Sequence, residues 1–292
     1  LSGDENLIKS YLGNEKIPVI NYPQVISMDD DPAKAIRSNK DSSIIGALNL
    51  VKEKKADAVF SAGSTGATLI GAISVLGKIK GVTRPTIASV LPGKEKEVIL
   101  VDSGANLEVK PKVLYQFAIM GSKLSELLFD IENPRIGLIN NGEESSKGRE
   151  LEKATFKLLK SSQLNFIGNV EGKDFANSKV DVFVTDGFTG NVVLKTLQGV
   201  AKLQQDLISK SLKENLFKPL LVPVKNAISP VKIMLNPNST NGSYLLGVNG
   251  LVIIGHGSSN SEAIKNALLF TSRAVEKRFI NKFTEVSSEL WM

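Results

Sequence analysis

The sequence predicts an α/β protein, a largely parallel sheet with flanking helices. Three observations predict it. Five short apolar runs, at residues 56–60, 98–101, 135–139, 182–184 and 251–254, have the length of strands. Each run ends in a small, polar, glycine-bearing loop. A helical pattern follows each loop, and strands that alternate with helices pair in parallel. In open α/β sheets, ligands bind beyond the carboxyl ends of the strands, so the five loops are expected to converge on one site. Their content is chiefly Gly, Ser, Thr, Asn, Asp and one His, which suits a phosphate or another oxyanion better than a metal.

Local signals justify the elements in order. Residues 4–13 read as a short helix with an acidic first turn, and residues 18–22 as a short strand. Asp31 followed by Pro32 is an N-cap with proline at the first helical position. Asp41 or Ser42 caps the next helix, to Lys54. The first of the five strands leads into a helix over 64–77, and residues 85–90 form a further strand. After the run 98–101, Pro111 opens a long helix to Phe129, with Val113, Leu114, Phe117, Met120 and Leu124 on one stripe. A helix over 148–159 and a strand over 165–170 follow the third run. The fourth run leads into a long helix over 189–216, where Pro219, Pro223 and Pro230 break the pattern. The last helix covers 260–282, capped by Ser258, Ser259 or Asn260.

Composition narrows the function classes. With 292 residues, 42% apolar, the chain can bury a large core or two lobes sharing a cleft. At 23% charged it is not a disordered composition. No apolar run approaches the roughly 20 residues of a membrane span, and no signal-peptide pattern occurs. Cysteine is absent, which excludes disulfides, thiolate metal sites and a cysteine nucleophile, and fits a cytoplasmic protein. His256 is the single histidine, so a multi-histidine metal site is excluded; neither a metal nor a cofactor is expected. The net charge is +6, and residues 195–232 alone carry +5, from Lys195, Lys202, Lys210, Lys213, Lys218, Lys225 and Lys232 against Asp206 and Glu214. Such a stripe suits an anionic membrane or an acidic protein partner. With no zinc finger, no RNP-like motif and 6% aromatic residues, nucleic acid is not an expected partner.

The loops carry the candidate chemistry. Ser61-Ala-Gly-Ser-Thr-Gly-Ala67 joins a strand to a helix. Glycine lets a ligand approach the backbone, and free N–H groups at a helix start point at an anion, helped by the helix dipole. Ser61, Gly63, Ser64, Thr65 and Gly66 are therefore the candidate phosphate-binding residues. No Gly-Lys-Ser/Thr follows, so the loop is not a P-loop, and it is not a dinucleotide fingerprint either; the plain alternative is an ordinary strand–helix turn. Asp102 stands at a strand end with Asn106 four residues on, either supporting the site or forming an Asx-turn. Asn140, Asn141 and Lys147 could hold an oxyanion or lie in a solvated turn. Asp186 and Asn191 open the long helix, and Lys195, four residues beyond Asn191, shares its face. His256 lies between two glycines at a strand end. His256, Lys195, Asp186 and Asn191 are the candidate catalytic residues; Asp102, Asn106, Asn140, Asn141 and Lys147 are supporting candidates.

Several of these strings, together with Gln116-Phe-Ala-Ile-Met-Gly121, Asn133-Pro-Arg-Ile-Gly-Leu138, Asn165-Phe-Ile-Gly-Asn-Val-Glu171 and Leu246-Gly-Val-Asn-Gly250, strongly resemble the PlsX family, the bacterial phosphate acyltransferases of phospholipid synthesis. The resemblance covers nearly the whole chain. It implies transfer of a fatty acyl group from acyl carrier protein to inorganic phosphate. It also implies a fold like isocitrate and isopropylmalate dehydrogenases and phosphotransacetylase, a homodimer, and a cytoplasmic protein peripherally associated with the membrane or with a membrane acyltransferase partner. The alternative activity is that of a phosphotransacetylase- or phosphotransbutyrylase-like enzyme acting on coenzyme A thioesters. The family begins with a strand and an Asp- and Gly-rich loop, both lacking here, and often has Asn where this chain has Ser64. The stretches 91–94 and 236–242 also look a few residues short, so part of the site is expected to be absent from the sequence.

The expected organisation is one catalytic domain over residues 1–292, missing its N-terminal strand, with a projecting basic helical hairpin at 195–235. Without cysteine no thioester intermediate can form on the protein, so direct attack by bound phosphate is simplest. Ser64, Thr65 and Gly66 would bind phosphate, with Lys147 or Lys195 balancing its charge. His256 would serve the oxyanion or the leaving sulfur, while Asp102 and Asp186 orient these groups.

Overall fold

The structure, a computed structural model, describes residues 1–214 and 242–285. A small parallel pair, β1 (Ser2–Gly3) and β2 (Ile20–Asn21), flanks α1 (Glu5–Leu12). Helices α2 (Pro32–Ser38) and α3 (Ser43–Lys52) precede β3 (Ala58–Ser61) and α4 (Thr65–Val75). Strands β4 (Thr86–Leu91) and β5 (Val98–Val101) lead to α5 (Pro111–Phe129). Then come β6 (Ile136–Ile139), α6 (Glu150–Lys160), β7 (Phe166–Val170), β8 (Val182–Val184) and α7 (Gly187–Glu214). The second stretch holds β9 (Ser243–Leu246), β10 (Leu251–Ile254), α8 (Ser261–Glu276) and α9 (Phe279–Glu285). The hairpin expected over 195–235 lies, beyond residue 214, outside the described residues, and so do the side chains of Lys213, Lys218, Lys225 and Lys232.

Short-range chemistry starts the helices where the sequence places them. The carboxylates of Asp4 and Asp31 accept from the N–H groups of Leu7 and Lys34, and Pro32 follows Asp31 at the first helical position. Of the three residues that could cap α8, Asn260 does so, accepting from the Ala263 N–H. The last helix differs from the expected single span. Arg278 adopts φ +52, and the chain breaks there into α8 and α9. The break turns Phe279 and Phe283 inward, where they stack on each other and Phe279 packs against Tyr244.

Eight strands form one sheet in the order β3-β10-β9-β4-β5-β8-β6-β7. β3 pairs in parallel with β10, and β5, β8, β6 and β7 form a second parallel set. Between the sets, β10–β9, β9–β4 and β4–β5 are antiparallel. Three successive reversals leave β3, β10 and β4 running opposite to β5, β8, β6 and β7. The sheet is thus mixed, and the five loops do not all emerge at one end. β9, which the sequence pattern does not single out, takes part in two of the reversals, with β10 and with β4.

Helix α7 reunites the site. It starts beyond the end of β8 and runs back across the sheet. At 1.5 Å per residue, Lys195 lies roughly 12 Å along it from Gly187. Its early turns therefore reach the end where β3 and β10 finish.

Among the described residues the core forms three clusters packed on the sheet. Every residue of β4 and β5 is buried. On one face α5 packs Leu114, Phe117 and Leu124 against Ile99, Val101 and Ile136; elsewhere Leu48, Ala67 and Ala72 pack against Val59 and Val252. At the β6–β8 start, the nearly buried Asp181 carboxylate takes Arg135 Nε at 3.1 Å, Arg135 Nη2 at 3.0 Å and Lys96 Nζ at 2.7 Å. Burial pushes this carboxyl up, but the Arg135 and Lys96 bonds outweigh it and hold it below the usual aspartate value.

A carboxylate held low stabilises the fold above its unfolded value of about 3.9 and loses that contribution as pH falls through its lower folded value. Asp181→Asn is expected to cost about 2–3 kcal/mol at pH 7, below the fully buried range because Arg135 is part-exposed. Denaturant melts between pH 7 and pH 2 check this: the gap between parent and variant should close on the acid side.

Candidate active site

A cavity of about 660 Å3 lies where the loops after β3, β5 and β10 meet the early turns of α7. In the first loop the serine hydroxyls serve the loop itself. Ser64 caps α4, accepting from the Ala67 N–H at 3.4 Å, and Ser61 Oγ accepts from the Gly63 N–H at 3.3 Å and lies 3.2 Å from Thr68 Oγ1. Gly63 and Thr65 line the cavity. The N–H groups of Thr65 and Gly66, the first two of α4, have no intrahelical acceptor, and the positive helix end beside them favours an anion. Gly66 backs onto α2: a Cβ there would stand 2.7 Å from Pro32 Cγ.

The second loop is tied around Asp102, which is fully buried. Its Oδ1 accepts from the N–H groups of Gly104 (3.0 Å), Ala105 (2.9 Å) and Ile87 (3.4 Å). Its Oδ2 accepts from the Asn106 N–H and from Asn106 Nδ2, each at 2.8 Å. Burial pushes the Asp102 carboxyl up from its ordinary value, against the pull of these donors. Asn106 in turn donates to the Pro85 carbonyl and accepts from the Gly187 N–H at 2.7 Å, where α7 begins.

Asp186 precedes the first residue of α7 and accepts from the Thr189 N–H at 2.8 Å and from the Thr189 hydroxyl at 3.1 Å. The Arg149 guanidinium bridges Asp186 and Glu152, and these bonds raise its pKa. Asp186 is thus a buried helix anchor that does not line the cavity. Asn191 and Lys195, one and two turns on, do line it. Asn140 donates to the Lys147 carbonyl at 3.1 Å and accepts from the Asn141 N–H at 2.8 Å; these three residues form a turn outside the cavity lining.

Across the cavity mouth, His256 Nε2 stands 3.5 Å from Lys195 Nζ, and both side chains are exposed. His256 Nδ1 accepts from the Ser258 N–H at 3.2 Å and lies 2.7 Å from Ser258 Oγ. An Nδ1 that accepts leaves the hydrogen of neutral imidazole on Nε2. Two donors, Nε2–H and the ammonium, then face each other, an arrangement completed by an oxygen that accepts from both. Deeper in, a row of hydroxyls joins β9, β4 and the loop after β5: Ser243 Oγ lies 2.8 Å from Ser89 Oγ, which donates to Ser103 Oγ at 2.8 Å, which donates to the Ile87 carbonyl at 3.1 Å.

The family described as "Fatty acid synthesis protein" matches residues 1–282. The chain is 43% identical over 280 residues to a phosphate acyltransferase of Halothermothrix orenii, covering 95% of this chain and 84% of that one. It is 41% identical over 292 residues to one of Clostridium perfringens, covering 98% and 86%. The chain belongs to this family of phosphate acyltransferases. Its fold is shared beyond the family. A branched-chain phosphotransacylase from Enterococcus faecalis matches with a TM-score of 0.58 at 16% identity, over 94% of this chain and 98% of that one. A phosphotransacetylase from Streptococcus pyogenes matches with a TM-score of 0.56 at 18% identity, over 92% and 83%.

In this family member, sequence reasoning missed Ser89, Ser243, Arg149 and Gln198, and it passed over Ser103 inside a loop it had singled out. The one signal for Ser89 is that burying a hydroxyl in a largely apolar strand costs free energy unless it is hydrogen-bonded, and that signal does not name the partner. The loop after β3 can be probed cleanly at Gly63, where an added Cβ makes only 3.5 Å contacts, and not at Gly66. Gly66→Val is expected to destabilise the family fold by about 1–3 kcal/mol through its clash with Pro32, whereas Gly63→Ala should melt within about 1 kcal/mol of the parent. Thermal melts of the two variants check the distinction.

Proposed function

We propose that the chain transfers a fatty acyl group from acyl carrier protein to inorganic phosphate, giving acyl phosphate and the carrier's free thiol. The observation that carries this reading is the pair of facing donors, His256 Nε2 and Lys195 Nζ, at the mouth of a cavity lined on one side by hydroxyls and on the other by apolar side chains. Phosphate sits against Lys195 and the free N–H groups of Thr65 and Gly66, with Gly63, Ser61 and Ser64 shaping that loop. A phosphate oxygen attacks the thioester carbonyl. As the new O–C bond forms, the carbonyl π pair moves to oxygen, and the His256 Nε2–H stabilises the resulting oxyanion. Collapse breaks the C–S bond, and the electron pair leaves on sulfur. A thiol pKa of about 8.5 makes this thiolate a fair leaving group, so no strong general acid is needed. Asp186, Asp102 and Asn106 act indirectly by fixing the start of α7, and with it Asn191 and Lys195. Asn140, Asn141 and Lys147 flank the Arg149 that holds Asp186, and support the site from there.

The whole chain forms one catalytic domain in this reading and works as a homodimer at an anionic membrane surface in the cytoplasm. Among the described residues no helix is long and apolar enough to cross a membrane. Exposed apolar residues on α7, such as Leu203 and Leu207, and on α8, Leu268 and Leu269, support pairing between copies. The basic stretch beyond them in sequence supports peripheral docking and capture of the acidic carrier. Each lysine near an anionic bilayer contributes about 1 kcal/mol. Changing Lys213, Lys218 and Lys225 together to Glu is expected to abolish sedimentation with anionic liposomes. Unchanged sedimentation with reduced activity on acyl carrier protein would assign the patch to the carrier.

The central test is phosphate-dependent thiol release from acyl carrier protein thioesters, run beside the matching coenzyme A thioesters. His256→Ala is expected to lower kcat about 10²- to 10³-fold. Lys195→Ala is expected to raise the phosphate KM about 10- to 100-fold, the equivalent of one charge-assisted hydrogen bond. Parental values in both variants, or a preference for coenzyme A thioesters, would count against the reading.

A further inference from the structure

We infer that the substrate's acyl chain runs over the end of β10 into an apolar recess beneath α8, where Ala263 and Ala267 set the chain length admitted. This rests on the acyl transfer proposed above and names a subsite for it. The sheet register carries the first step. Ile253 pairs with Phe60 and with Tyr244, and Tyr244 pairs with Ala88, so these residues share one face. Alternation along β4 adds Val90 to that face and leaves Ser89 on the other, with Ser243 and Ile254. The cavity is lined by Phe60 and Val90 from the first face, and by Ser89, Ser243 and Ile254 from the second. It therefore passes from one face of the sheet to the other.

The crossing lies where β10 ends and β9 begins, and a glycine stands at each. A Cβ at Gly255 would fall 2.7 Å from Phe60 Cζ, and one at Gly242, which has φ +80, would fall 2.8 Å from Ile253 Cγ2. Both residues line the cavity, so its rim at the crossing is bare backbone. His256 and the hydroxyl row stand on the polar side. Beyond the crossing the lining is Phe60, Val90 and the inner face of α8.

That inner face is built from small residues. Ala263 and Ala267 are one helical turn apart, 4% and 2% exposed, and both line the cavity. The next residues, Leu268 and Leu269, are 50% and 54% exposed. The helix thus turns its bulk outward and keeps two methyl groups over the recess. The 660 Å3 cavity is within the range of about 300–1,000 Å3 that holds small-molecule ligands. An acyl chain whose thioester carbonyl lies by His256 has this recess as its apolar continuation.

Thiol release should be measured with carrier thioesters of four, eight, twelve and sixteen carbons. Ala267→Leu adds a branched side chain to the recess, and each methylene shut out weakens binding about fourfold. It is expected to lower kcat/KM for the sixteen-carbon substrate by about 10- to 50-fold relative to the four-carbon one, with the phosphate KM within about twofold. Lys265→Ala, at an exposed position of the same helix outside the cavity lining, should leave the chain-length profile unchanged. If circular dichroism shows that Ala267→Leu does not fold, Ala263→Val, with less added volume, gives the same reading. A folded variant that loses activity equally at every length, or at none, overturns the subsite while the transfer reaction stands. A parent protein that releases no thiol at any length overturns the proposed function, and this subsite with it.

Discussion

The buried carboxylate of Asp102 is the joint on which the site depends. It takes hydrogens from three successive residues of its own loop, from the Asn106 side chain and from the Ile87 N–H of β4. Five donors converging on two oxygens fix a loop that has no regular structure of its own. Asn106 then passes the constraint to α7 through the Gly187 N–H. The fit at this contact is close: a Cβ at Gly190 would stand only 1.8 Å from the Asp102 carbonyl oxygen. Two glycines in the first turn of α7 let the helix lie directly on the Asp102 loop, and that contact aims its cavity-lining residues.

This joint resolves a geometric problem that the sheet creates. Strands pointing in opposite directions present their loops at opposite ends, and a single site needs residues from both. Register solves part of it, because Val101 pairs with Ala88, in the middle of β4, and Ser103 then donates to Ile87. The end of β5 thus falls over the body of the sheet and not beyond it. α7 solves the rest by returning across that surface. The cavity-lining groups come from elements that diverge in direction and meet because one helix doubles back.

What the sequence discloses and what it hides divide along the range of the interactions. The cap at Asp31 involves a partner three residues away and is legible as written; Asn260 is one of three adjacent candidates that the same local pattern offers, and Asp4 reads as the first helical residue where it caps the helix. Strand polarity is not local: nothing in the composition of Ser243–Leu246 says that it will lie antiparallel between two other strands. The break at Arg278 is equally hidden, since its left-handed backbone is compensated by Phe279 and Phe283 packing beside Tyr244, distant in sequence. At the site, glycine-rich loops point to Gly63, Thr65, Asn191, Lys195 and His256, all in the cavity lining. The same loops give no sign that Ser61 and Ser64 spend their hydroxyls on the turn itself. Ser89 and Ser243 escape notice because each acquires its meaning only from a neighbour on another strand.

The hydroxyl row has a property beyond its position. The Ile87 carbonyl accepts from the Ser103 N–H at 2.9 Å as well as from the Ser103 hydroxyl. It therefore stays satisfied when that hydroxyl turns away. All three hydrogens can then rotate together, Ser103 toward Ser89, Ser89 toward Ser243, and Ser243 toward the cavity, with no heavy atom displaced. In one sense of rotation the row offers the cavity a lone pair, and in the other a hydrogen. The floor of the site thus carries no fixed polarity: the same row can face a donor as an acceptor and an acceptor as a donor.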